Sequence, residues 1–160
     1  MTRIYAAMAD GVLVASRRNG SWWTERRLEG YSPQAVTADP LRPEVVYCGT
    51  FDRGLWRSMD AGDSWERVGE DVISDPVMAV AVSAVQRSGE RGVVYAGTEP
   101  SAVYRSEDGG ETWRELRRMR ELPSAQEWSF PPRPETHHVR WISPDPNTSG
   151  RLFVAIEAGA

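Results

Sequence analysis

"SEDGGETWREL", Ser106–Leu116, is the stretch that decides how this chain folds. Ser106, Asp108, Gly110, Thr112 and Trp113 set turn-forming residues and one large anchor in a fixed order. An Asp hydrogen-bonds backbone N–H groups of its own turn. A Gly suits a position that needs positive φ. The Ser and Thr hydroxyls close the remaining turn bonds, and the Trp brings an apolar face to bury. "SMDAGDSWERV", Ser58–Val68, repeats the pattern with Ser58, Asp60, Gly62, Ser64 and Trp65.

A wider window turns the motif into a repeat. "VVYCGTFDRGLWRSMDAGDSWERV" (Val45–Val68) aligns without a gap with "VVYAGTEPSAVYRSEDGGETWREL" (Val93–Leu116), at a constant offset of 48. Tyr47 pairs with Tyr95, Gly49 with Gly97, and Trp65 with Trp113. A weaker copy opens the chain, where Tyr5 lies 11 residues before Ser16, as Tyr47 lies before Ser58. There Asn19-Gly20 supplies the turn and Trp22 or Trp23 the aromatic. A fourth copy begins at Leu152, with Phe153 in the Tyr slot. Upstream segments also recur: Gln34–Pro40, Met78–Val85 and His138–Pro146.

Each unit therefore reads as four short strands: A (Met78–Val85), B (Val93–Gly97), C (Ala102–Arg105) and D (Thr112–Leu116). Four strands per ~40–50 residues are the signature of β-propeller blades, which bury their faces only by stacking. The expected fold is all-β: one partial propeller domain over residues 1–160, about three and a half blades of a six- or seven-bladed ring. Blade 1 covers about 3–29, blade 2 about 33–69 and blade 3 about 77–118. A loop insertion fills 117–137, and blade 4 starts over 138–160.

Composition agrees. The chain has 160 residues, a net charge of −4, 40% apolar and 26% charged residues, enough for a real core. That balance gives no electrostatic case for nucleic acid or an anionic membrane. Cys48 is the single cysteine, so no internal disulfide exists. It reads as a small core residue rather than a nucleophile. No apolar run reaches the ~20 residues of a membrane span. Asp10 and Gly11 interrupt the first apolar segment, which argues against a signal peptide and for a cytoplasmic protein. With 14 Gly and 11 Pro, turns are frequent and elements short. Arg114–Leu122 has helical spacing of Leu116, Met119 and Leu122 but is too short to change the class.

The pattern Ser-x-Asp-x-Gly-x-Ser/Thr-Trp, met twice, resembles the Asp-box, or BNR repeat, of sialidase-like β-propellers. The resemblance covers nearly the whole chain. It implies a structural role on the rim, away from the functional face, for Ser58, Asp60, Gly62, Ser64, Trp65, Ser106, Asp108, Gly110, Thr112 and Trp113. The motif loop is too short for the six to eight oxygen ligands of calcium. The resemblance also implies glycosyl hydrolases, sorting receptors and photosystem assembly factors as relatives. Sialidases add an arginine triad, a Tyr/Glu nucleophile pair and a Phe-Arg-Ile-Pro motif. That last motif is absent here, and Phe130–Pro134 ("FPPRP") does not replace it.

In propellers, B–C and D–A connections share one face. Asp10 (in Met8–Gly11), Asp52 (in Thr50–Gly54), Glu99 (in Thr98–Ala102) and Glu157 (in Ile156–Ala160) each lie near the start of a B–C loop. Four converging acids suit a cation, a polyol or acid–base work; solvated loop tips read the same way. The insertion adds Trp128, Arg133, Glu135, His137 and His138, and Pro131-Pro132-Arg133-Pro134 favours extended polyproline II that holds them outward. A lid packed on its own blade is the rival account. Adjacent His137 and His138 on a strand cannot face one ion, so no metal is expected, and no cofactor is implied.

Two functions follow. One is a non-enzymatic propeller binding an unknown carbohydrate or protein ligand on its loop face, through Asp10, Asp52, Arg53, Glu99, Trp128, Arg133, Glu135, His137 and His138. The other is a glycoside hydrolase using two of Asp52, Glu99, Glu135 and Glu157, with carboxylates roughly 5–9.5 Å apart. Three and a half blades also call for the remaining blades of a longer chain, or self-association, to cover open strand edges.

Overall fold

The computed structural model describes residues 2–157. Among these residues the fold is all-β, with four separate antiparallel sheets and no closed barrel. Sheet 1 holds β1 (Thr2–Met8), β2 (Gly11–Arg18) and β3 (Ser21–Arg27). Sheet 2 holds β4 (Pro33–Ala38), β5 (Val46–Thr50), β6 (Gly54–Ser58) and β7 (Glu66–Val68). Sheet 3 holds β8 (Val77–Ser88), β9 (Arg91–Thr98), β10 (Val103–Ser106) and β11 (Arg114–Glu115). Sheet 4 holds β12 (His138–Pro144) and β13 (Leu152–Glu157). Each is a meander in chain order. The helical spacing over Arg114–Leu122 yields only a 3-10 turn, Arg117–Met119, followed by a second at Pro123–Glu127. No helix among the described residues is long and apolar enough to cross a membrane.

Successive sheets pack face to face. β4 lies against β1, β8 against β4 and β5, and β12 against β8 and β9. Each joint has its own core: Val12, Val14 and Cys48, with Trp65 and Trp56 packed on, between sheets 1 and 2. Tyr47, Leu55, Val68, Val80, Val94, Tyr104 and Trp113 fill the second. Ala79, Val93, Tyr95, Val103, Val139 and Ile142 fill the third. Fully burying a side chain of this size stabilises by about 1.5–3 kcal/mol, so the joints hold the molecule together. The repeated Gly of "YCGT" and "YAGT" permits the close approach. A Cβ on Gly49 would meet Val77 at 2.8 Å, and one on Gly97 would meet Val139 at 2.5 Å.

The two motif turns superimpose in their bonding. Ser58 Oγ accepts from Gly62 N at 2.8 Å, and Ser106 Oγ accepts from Gly110 N at 2.8 Å. Asp60 accepts from Ser64 N (2.8 Å) and Ser64 Oγ (2.6 Å); Asp108 accepts from Thr112 N (2.9 Å) and Thr112 Oγ1 (2.5 Å). Gly62 and Gly110 have φ of +91° and +92°. Trp65 and Trp113 donate Nε1–H to the Gly62 and Gly110 carbonyls at 3.1 and 3.0 Å. Hydrogen bonds from Ser64 hold the Asp60 carboxyl at a pKa of about 2. Asp108 also sits at about 2: burial pulls it upward, and the bonds from Thr112 and Ser106 outweigh that pull. Because the turn claims Thr112, the fourth strand of sheet 3 begins at Arg114 rather than Thr112.

Each turn also docks on the sheet before it. Tyr5 Oη donates to Ala61 O at 3.1 Å and Tyr47 Oη to Gly109 O at 3.0 Å. Arg57 reinforces the second joint, reaching Gly109 O at 2.6 Å and Glu111 at 2.8 Å. Sheet 1 departs from the repeat. Its β1–β2 turn spans Met8 to Gly11, whereas β5–β6 runs from Thr50 to Gly54. The shorter turn pairs Tyr5 with Val14 where Tyr47 pairs with Arg57, so Ala15, not Ser16, occupies the slot of Ser58. Asn19 (φ +50°) and Gly20 (φ +83°) do form the expected turn. Trp22 and Trp23, however, are 47% and 64% exposed and are not joint anchors like Trp65 and Trp113.

Candidate functional site

The B–C turns and D–A connections meet at one end of the sheets. Gly30 N donates to Asp10 O (3.0 Å), Phe51 N to Ser32 O (2.8 Å) and Glu99 N to Pro76 O (3.1 Å). The insertion joins this end: Ser101 N donates to His137 Nδ1 at 3.3 Å.

The acids part company there. Asp10 pairs with Arg26 at 3.2 Å, and Asp52 accepts from Ser32 N at 3.3 Å; both are exposed and served within their own surroundings. Glu99 is buried. Arg133 grips it with Nη1 at 2.8 Å and Nη2 at 2.9 Å, and Thr136 Oγ1 donates at 3.3 Å. His138 Nδ1 lies 3.5 Å from Glu99 Oε2, the oxygen that also accepts from Arg133 Nη2. The Nε2 of the same ring lies 2.7 Å from Glu157, which also approaches Arg140 Nε at 3.4 Å. Glu99 and Glu157 are thus brought together, with a buried imidazole between them. Residues 158–160, the rest of the expected Ile156–Ala160 loop, lie outside the described residues.

The insertion folds inward, contrary to the extended polyproline reading. Arg133 N donates to Phe130 O at 2.7 Å and Phe130 N to Thr136 O at 2.7 Å, which closes Pro131–Pro132 into a tight turn. The turn brings Arg133 onto Glu99. Phe130 packs edge-on to His138 at 5.2 Å, and Trp128 edge-on to His137 at 5.6 Å. Arg133 lies over Phe130 at 5.6 Å. Trp128, Arg133, His137 and His138 therefore line a packed lid. Glu135 stays exposed and makes no ion pair or hydrogen bond among the described residues. His137 and His138 serve different partners. Burial holds the His137 imidazole below its ordinary pKa, against the pull of Glu99. No group of three or more His, Cys, Asp or Glu is arranged to hold a metal among the described residues.

A second cluster at this end was not legible in the sequence beyond Asp52 and Arg53. Arg53 lies over the Tyr31 ring at 4.8 Å, and Trp56 meets Tyr31 edge-on at 5.0 Å. Trp56 Nε1 donates to Arg53 O at 2.9 Å, which fixes the loop beneath the guanidinium. Phe51 and Asp52 flank it, both exposed. Tyr31 belongs to the connection between sheets, where no repeat marks it. Cys48, elsewhere, is fully buried, and burial pushes its thiol up to about 12. No protein-family model and no curated protein matches the chain.

Proposed function

We propose that the chain is a non-enzymatic Asp-box β-propeller module, in the sialidase-like manner, that binds a carbohydrate or protein ligand on its B–C/D–A loop end. Four sheets stacked in chain order, each new motif turn docked on the sheet before, support the propeller reading.

One observation carries the binding reading over hydrolysis: the His138 ring fills the space between Glu99 and Glu157. A glycosidase needs that space for the scissile bond or a water. Glu99 is moreover neutralised by Arg133 and closed off from solvent. The side chains left open at this end, Phe51, Asp52 and Arg53 beside Tyr31 and Trp56, mix an aromatic surface with one charge of each sign on a rigid scaffold.

The test is a panel of aryl glycosides and oligosaccharides, read by sugar release and by tryptophan fluorescence. The expected result is no release, and a fluorescence-detected ligand whose binding weakens at least tenfold in Arg53→Ala. Sugar release abolished by Glu99→Gln would overturn the non-enzymatic reading. A ligand bound equally by Asp52→Ala and Arg53→Ala would overturn the choice of surface.

A further inference from the structure

The outer strands of the four-stranded sheets are short: β7 has three residues and β11 two. The outer strand of sheet 1 is long. β3 runs for seven residues, Ser21–Arg27, and is exposed from Ser21 to Arg26. An open edge of this length is a template for another strand. It lies in the plane of the sheet, so whatever packs on the sheet faces leaves it free. The hairpin turn fixes which backbone groups it offers. Asn19 (φ +50°) and Gly20 (φ +83°) make a type I′ turn between the paired residues Arg18 and Ser21. In such a hairpin the flanking pair is hydrogen-bonded, and bonded and unbonded pairs then alternate. Ser21, Trp23, Glu25 and Arg27 therefore turn their N–H and C=O toward β2, whereas Trp22, Thr24 and Arg26 turn theirs outward. The Arg26 carbonyl has no strand beside it and accepts instead from Arg27 Nη1 at 3.0 Å.

We propose that a second copy of this chain pairs antiparallel along this edge, β3 on β3, about a two-fold axis at Thr24. In that register the strand is complementary to itself. Trp22 meets Arg26 of the other copy, Thr24 meets Thr24 and Arg26 meets Trp22, so every outward N–H and C=O of β3 finds a counterpart. No like charges are opposed, since Trp23 faces Glu25 and Ser21 faces Arg27. Moving the axis to Glu25 or Arg26 sets that charge against itself. Moving it to Trp23 leaves Arg26 opposite Gly20 in the turn. An Arg26 guanidinium beside an indole is also a cation–π pair, repeated on each side of the axis. The contact is isologous and closes at the dimer. β3 runs from the Asn19-Gly20 turn to the loop end, where Gly30 N donates to Asp10 O. Antiparallel pairing points the two loop ends in opposite directions, so the dimer bridges two ligands rather than gripping one; this consequence rests on the proposed binding function, whereas the joint does not.

Light scattering across a wide range of concentration tests it. The expected mass rises from the 17.9 kDa of the chain to twice that value. Thr24→Lys and Thr24→Glu each oppose like charges across the axis at an exposed position. Each is expected to raise the midpoint concentration of dimerisation by roughly fivefold or more, with unchanged circular dichroism. Mixed together they are expected to form the heterodimer, because the charges across the axis are then opposite. Ser88→Lys, at the exposed end of β8, is the control for added charge, and its dimer is expected to persist. Hydrogen exchange reads the register. The amides of Trp22, Thr24 and Arg26 are expected to slow on dimerisation, while those of Trp23 and Glu25, bonded to β2, are slow in both states. A dimer indifferent to Thr24→Lys, equal disruption by Ser88→Lys, or a dimer whose Trp22, Thr24 and Arg26 amides stay fast would overturn the proposal. A chain monomeric at every concentration would overturn it too, and would leave the edge to an extended strand of another protein. A silent sugar panel with the dimer intact counts against the binding reading alone.

Discussion

Tyr47 Oη donates a 3.0 Å hydrogen bond to the carbonyl of Gly109, 62 residues further along the chain. This bond pins the motif turn of sheet 3 to the middle of sheet 2. Burial pushes the Tyr47 hydroxyl up to about 12, so it remains a donor at any working pH. Tyr47→Phe leaves Gly109 O still bonded to Arg57 Nη1, so no carbonyl is orphaned. The loss is expected near about 1 kcal/mol, measured as a shift in the urea midpoint with unchanged slope. Arg57→Met in the same background is expected to cost more than the sum of the single changes, because it then strands that carbonyl.

The motif Asp residues should make the protein acid-sensitive in a defined window. Asp60 and Asp108 have folded-state pKa values of about 2 against an ordinary 3.8. A depressed carboxyl pKa contributes stability that is complete above the unfolded value and is lost as pH falls through the folded one. Wild type is therefore expected to lose stability from about pH 4 down to about pH 2, and Asp108→Ala to show a flatter profile there. At neutral pH Asp108→Ala is expected to destabilise by about 0.5–1.5 kcal/mol through the loss of its bonds with Ser106 and the exposed Thr112. Thermal melts at several pH values check both.

Gly97→Ala tests the joint between sheets 3 and 4. The added Cβ would lie 2.5 Å from Val139 Cγ1 and 2.7 Å from its Cβ, so β12 must move. Overpacking of this kind costs about 1–3 kcal/mol. Gly97→Ala with Val139→Ala is expected to recover part of the loss. Gly20→Ala, whose Cβ meets nothing within 4 Å, is expected to be destabilised only through its φ of +83°.

The strands and motif turns were legible because their signals are local. Gly49 and Gly97 announced themselves by the repeat, and Asp60 and Asp108 by turn chemistry. The register of sheet 1 was not legible, because a turn one residue shorter shifts Ser16 out of its slot while its sequence distance from Tyr5 is unchanged. The site was legible as residue types and illegible as geometry. Arg133 reads as an outward-facing recognition group until it meets Glu99, 34 residues away. Three prolines around it favour an extended chain, yet Arg133 N and Phe130 N close the segment into a turn on Phe130 O and Thr136 O.

That ion pair makes the last prediction. Glu99 has a side chain 7% exposed, and Arg133 is its nearest cation. Removing Arg133 leaves the buried Glu99 carboxylate without its ion pair, at a cost below the ~3–5 kcal/mol of a fully buried pair because Arg133 is itself 43% exposed. Arg133→Met is therefore expected to destabilise, whereas Glu99→Gln with Arg133→Met, which leaves no charge, is expected to recover most of the loss. The double-mutant cycle separates the pair from the packing of Phe130 and Trp128. Limited proteolysis adds a local readout. If the pair is what folds the insertion inward, cleavage within 117–137 is expected to accelerate in Arg133→Met before sheets 2 and 3 unfold. Cleavage unchanged from wild type would mean that the aromatic contacts of His137 and His138 hold the lid without it.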